Sequence, residues 1–158
     1  MRCSAFAVLV GSLALAGAAA TPQHPDFSGT YALARLRSTL MPRAAAMDSA
    51  VVRIEHREPA FRFQRVFHRG PQSDTLVLVL TTDGREHATS ESEVRSVATL
   101  SWEGDTLVFR DRMEAPWGAA TDVVRYWLED SGRTLEARET FRGARVSYDN
   151  VWVFERRD

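Results

Sequence analysis

The sequence predicts an all-β fold: a single antiparallel up-and-down β-barrel of about ten strands, with at most a short helical segment between the first two. Three observations carry this. Turn-forming residues recur every dozen positions or so, among them Asp83-Gly84, Glu103-Gly104-Asp105, Asp130-Ser131-Gly132 and Gly143-Ala144, which is the spacing of hairpins. The segments between them alternate apolar and polar residues, the period of a half-buried strand. No helix-length segment separates two strands in the βαβ manner. A sheet that returns through hairpins must bury one face by curling or stacking, and the continuous meander favours a barrel over a sandwich.

Residues 1–20 fall outside the pattern. Arg2 gives a short positive start, residues 5–16 form an apolar run, and Ala18-Ala19-Ala20 offers a small-residue cleavage site. This is read as a secretory signal, removed to leave residues 21–158 as one lipocalin-like barrel domain, exported to the periplasm or the extracellular space. The run is short for a membrane span and is followed at once by Thr21-Pro22 rather than a basic stop, so no span is expected after removal. Cys3, the one cysteine, leaves with the signal. Disulfides, thiol nucleophiles and cysteine metal sites are thereby excluded, and stability must come from packing.

The first strand is Phe27-Ser28-Gly29-Thr30-Tyr31-Ala32-Leu33, whose glycine permits a bend or a close backbone approach. In residues 35–50, Ala44-Ala45-Ala46-Met47 favours helix while Pro42 breaks any helix begun at Leu36, so one or two short helical turns are expected. Strand 51–56 turns at Arg57-Glu58-Pro59 into strand 61–67, where Phe61, Phe63 and Phe67 share one parity. Residues 75–80 are apolar on both faces and predict a strand that is covered on both sides or sits at the best-packed part of the sheet. The stretch 81–113 reads as three strands around which the rest is organised. Thr82-Asp83-Gly84-Arg85 and Glu103-Gly104-Asp105 are each expected to close an antiparallel hairpin there. Strands 121–129, 134–142 and 145–156 complete the count.

All twenty basic residues are arginine, and without Arg2 nineteen face twenty-one acids, a net charge of −2. The signs are interspersed, which leaves no basic stripe for nucleic acid. His24, His56, His68 and His87 show no metal-ligand spacing, and no nucleophile elbow, phosphate loop or dinucleotide fingerprint is present. No catalytic residue, metal or cofactor is therefore assigned. Parity supplies the candidate site instead. Arg65 shares the face of Phe61, Phe63 and Phe67; if that face is inward, Arg65 is a buried cation that needs a ligand anion. Otherwise it sits at the mouth in solvent or pairs with an acidic neighbour. Phe109 and Asp111 share one face, as do Tyr148, Asn150, Trp152 and Phe154, and such faces either pack as core or line a cavity.

Three stretches together resemble the calycin barrels, and within them the fatty-acid-binding-protein type. Phe27-Ser28-Gly29-Thr30-Tyr31-Ala32-Leu33 is similar to that family's opening F-x-G-T-W-x-L, and Thr82-Asp83-Gly84-Arg85 and Trp102-Glu103-Gly104 to its T-D-G-R and W-D-G turns. The resemblance implies a lipocalin-like barrel that binds a small apolar or amphipathic ligand inside, without catalysis; that family is cytosolic, and export is read here from residues 1–20 alone. The resemblance also implies that Arg156 stacks on Tyr31 to close one end. The family's helix-turn-helix lid is shortened here, and its Arg-x-Tyr carboxylate anchor in the last strand is replaced by Trp152 and Phe154. The ligand-binding set is then Phe63, Arg65, Phe109, Arg110, Tyr148, Trp152 and Phe154, with Arg65 the first candidate anchor and Arg110 the second. The alternative is a solidly packed barrel acting on a protein partner through its loops or outer face.

Overall fold

The computed structural model describes residues 24–157; the signal read in residues 1–20 lies outside them. Ten strands follow in order: β1 (Gly29–Leu33), β2 (Ser49–Arg57), β3 (Ala60–Arg69), β4 (Gln72–Thr81), β5 (His87–Glu91), β6 (Val94–Glu103), β7 (Thr106–Ala115), β8 (Gly118–Glu129), β9 (Thr134–Gly143) and β10 (Ser147–Arg156). Between β1 and β2 lie a 3-10 turn, Arg35–Arg37, and the single helical turn α1, Pro42–Ala45. Pro42 opens α1 rather than ending a longer helix, because its fixed φ and missing N–H suit the first helical position.

The strands form one antiparallel sheet in the order β4-β3-β2-β1-β10-β9-β8-β7-β6-β5. Pairing β1 with β10 curls the meander into a nearly closed barrel. The seam falls between β4 and β5, and this corrects one expectation. The Asp83-Gly84 turn does not close a hairpin, since the strands on either side of it are the two ends of the sheet. Instead Asp83 bridges Ser101, and the Gly84 amide donates to the Leu100 carbonyl at 2.9 Å. The turn thus docks β4 onto β6 at one end of the barrel while β4 and β5 diverge. Glu103-Gly104-Asp105 does close the β6–β7 hairpin.

Inward positions follow the predicted parity. Phe61 and Phe63 of β3, Leu107 and Phe109 of β7, Leu135 and Ala137 of β9, and Trp152 and Phe154 of β10 join one buried core with Phe27 and Tyr31. The two-sided apolar run of β4 is a second correction. Leu80 is buried, but Val77 and Val79 on the outer face are 42% and 65% exposed, because among the described residues no layer covers the outside of the barrel. At the closed end the Arg156 guanidinium lies 5.5 Å over the Tyr31 ring and donates to the Ser28 carbonyl at 2.6 Å. Gly29 makes room for it: a Cβ there would meet the guanidinium at 3.0 Å.

Beside this contact, Glu58 from the β2–β3 turn collects donors. Its carboxylate accepts from the Thr82 hydroxyl and, at 2.8 Å, from Trp102 Nε1, and lies 3.0 Å from His56 Nε2. Burial pushes the Glu58 carboxyl up, but these hydrogen bonds outweigh it and hold the group below its ordinary range. The closed end is therefore a packed plug whose polar atoms are paired.

Candidate functional site

The barrel is filled only in its lower half. Phe63 of β3 meets Tyr126 of β8 across the lumen, ring centroids 5.9 Å apart, and this pair forms a floor. Above it opens a cavity of about 790 Å³, within the range of small-molecule sites. Met41, Arg43, Ala44 and Met47 of the α1 segment form one side of its mouth, and the β3–β4 and β9–β10 turns the other. Tyr148, Trp152, Phe67 and Arg65 line the interior.

The two alternatives for Arg65 resolve in favour of the lumen. Its guanidinium lies 4.0 Å from the Phe67 ring centroid and 5.7 Å from that of Trp152. No ion pair among the described residues involves it, and its Nε is buried without a hydrogen-bond partner. Burial lowers its affinity for the proton, while Tyr126, Glu139, Asp122 and Tyr148 act in the opposite sense. An arginine nonetheless stays charged, so the cavity wall carries a cation that lacks an anion at contact distance.

Facing it are acids that sequence reasoning missed. Glu139 of β9 accepts from Trp152 Nε1 at 2.7 Å, Asn150 Nδ2 at 2.8 Å and the Tyr148 hydroxyl at 3.3 Å. The Asn150 carbonyl oxygen in turn accepts from the Met41 amide at 2.7 Å, which ties the start of α1 to the wall of the cavity. Asp111 of β7 accepts from the Ser96 hydroxyl at 2.5 Å and stands directly opposite Asp122 of β8. Asp122 Oδ1 is buried and unpartnered. Burial, helped by the charges of Glu139 and Asp111 and opposed by Arg65, pushes the Asp122 carboxyl up to about 7. An acid at the inward position of an otherwise apolar strand face was the available signal, and both Glu139 and Asp122 carry it.

The predicted residues divide accordingly. Arg65, Tyr148 and Trp152 come together in the cavity. Phe63, Phe109 and Phe154 lie in the packed core, with Phe63 forming the floor. Arg110 faces outward and pairs with Glu103, because the odd parity of β7 that buries Phe109 turns its neighbour to solvent. It is not a second anchor.

No family model matches the chain, and no curated protein matches it. Solved structures do. Secretory abundant heat soluble protein 4 from Ramazzottius varieornatus has a TM-score of 0.55 at 13% identity, covering 87% of this chain and 100% of that one. Human cRBP IV has a TM-score of 0.54 at 16% identity, covering 84% and 99%. Zebrafish ileal bile acid-binding protein, solved with cholic acid, has a TM-score of 0.52 at 14% identity, covering 83% and 98%. At such identities the likeness shows the fold alone, a calycin-like antiparallel β-barrel.

Proposed function

We propose that this chain is an exported, non-enzymatic carrier that binds a small amphipathic molecule in the cavity above the Phe63–Tyr126 floor, its anionic end at Arg65. One observation carries the reading: a buried arginine whose Nε has no partner, on the wall of a cavity of about 790 Å³. A desolvated cation without a counter-charge is costly, and a ligand anion offsets that cost through a charge-assisted hydrogen bond. Phe67, Trp152 and Met47 supply the apolar surface for the ligand's body. Support for the ligand class comes from a neighbour of the same fold that holds cholic acid. Support for export comes from the leader-like composition of residues 1–20. The polar wall favours this reading over a solidly packed barrel working only through its outer face, which has no use for an unpaired inner cation.

The test is a pair of titrations, with a fluorescent fatty acid and a neutral lipophilic dye, into the wild type and Arg65→Met, each purified from the exported fraction and checked by mass for a mature N-terminus at Thr21. The substitution keeps side-chain length and deletes the charge. It should weaken the anionic probe by about 1.5–3 kcal/mol and leave the neutral dye nearly unaffected. Failure of both probes to bind either form would end the carrier reading and favour the interaction-protein alternative.

A further inference from the structure

Among the described residues, two buried side-chain polar atoms lack any hydrogen-bond partner: Arg65 Nε and Asp122 Oδ1. They are a donor and an acceptor, and they belong to opposite walls. β3 and β8 stand five places apart in the ring of ten strands, and the Phe63–Tyr126 contact shows that residues of these two strands reach each other across the lumen. Both orphans lie on the mouth side of that contact, Arg65 among the residues that line the cavity and Asp122 at an inward position next to them, outside that lining. Arg65 is one inward position beyond Phe63 toward the cavity, and Asp122 is two inward positions above Tyr126. Buried polar groups are almost always paired, so two unpaired ones facing a single lumen call for a common explanation.

Resting on the carrier reading above, we infer that the natural ligand is a hydroxylated amphipathic acid, whose anionic end meets Arg65 and whose chain hydroxyl meets Asp122 on the opposite wall. Three features select a hydroxyl. Glu139 already accepts from Trp152, Asn150 and Tyr148, and Asp111 from Ser96, so Asp122 is the one of the three acids with a buried oxygen that accepts from nothing. A hydroxyl both donates and accepts, which serves Asp122 whether or not it is ionised. An unsubstituted acyl chain would leave Oδ1 buried and unpaired, and such a site discriminates against analogues that lack the matching polar group.

The experiment is competitive displacement of a bound fluorescent fatty acid from the mature protein by stearate, by monohydroxystearates with the hydroxyl at successive positions, and by stearylamine. At least one hydroxy isomer should bind tenfold or more tighter than stearate, with a clear optimum in position. Asp122→Ala should erase that preference while leaving stearate bound as well as before or better. Asp122→Asn, which keeps a hydrogen-bonding oxygen, should retain most of the preference. Arg65→Met should weaken stearate and the hydroxy acids alike. If stearate and every hydroxy isomer bind equally to the wild type, the inference fails and the carrier reading stands. Stearylamine binding best would also overturn it, and no displacement by any acid overturns both. The wild-type comparison decides the matter even if an Asp122 variant does not fold.

Discussion

The two ends of the barrel treat buried polarity in opposite ways. At the closed end the buried Thr82 and His56 side chains both meet the half-exposed Glu58, which Trp102 also reaches, and the aromatic rings of Phe27, Phe61 and Trp102 pack around His56. At the open end Glu139 is similarly satisfied, yet Arg65 and Asp122 are left with unused atoms. Paired buried groups hold a structure together, and unpaired ones mark where a structure expects something else. Both sets belong to one sheet, so the difference lies in which positions are polar and not in the architecture.

The largest test of this contrast is packing. Phe63→Ala should cost about 3–5 kcal/mol, because it opens a void in the filled half, whereas Phe67→Ala, beside space that is already open, should cost less than about 2 kcal/mol. Equal losses in chemical denaturation would mean that the upper half is packed after all. A second test uses pH. Asp122 holds its proton to about 7 against an ordinary value of 3.8, so between those values the folded state binds more protons than the unfolded one. Stability should therefore fall as pH rises from about 4 to 7, by on the order of 2–4 kcal/mol, and level off above. Asp122→Asn should remove that slope. Glu58 titrates in the other sense: its lowered carboxyl adds stability present above the ordinary glutamate value and lost as pH falls through the folded one. A melt series in which Asp122→Asn and Glu58→Gln flatten the same limb would contradict the comparison. The smallest effect concerns single hydrogen bonds. Thr82→Val strips a donor from Glu58 and should cost about 1–2 kcal/mol, while Arg65→Met, which removes an unsatisfied charge, should be neutral or stabilising in the absence of ligand.

Much of this was legible in the residues. Alternation gave the strand count, and the Phe parity of β3 made Arg65 a lumenal cation once that face proved inward. The G-T-Tyr match implied the Tyr31–Arg156 contact that the structure shows. What could not be read was whatever depends on which strands are neighbours. Asp83-Gly84 has the local chemistry of a hairpin turn, but whether β4 and β5 pair is decided by how the whole sheet closes. The apolar outer face of β4 suggested a covering layer because sequence period reports burial without saying where the sheet ends. Glu139 and Asp122 become a site only when β9 and β8 are placed against β3 and β10, a relation between distant segments that no local spacing encodes. Arg110 failed as an anchor for a simpler reason: one residue of register turns a side chain from lumen to solvent.

The seam between β4 and β5 bears on how the molecule moves. β4 pairs only with β3 and β5 only with β6, so along each strand alternate amides point into the gap instead of into a ladder. Those amides should exchange with deuterium far faster than their neighbours donated to β3 or β6, giving a two-residue alternation of protection within single strands. The barrel is then less a rigid can than a rolled sheet pinned at one end by the Asp83–Ser101 bridge, free to slacken at the other. A slackening edge widens the lumen beside Leu76 and Leu78 without breaking any strand pairing. On the carrier reading, such an edge would admit a bulky guest without moving α1.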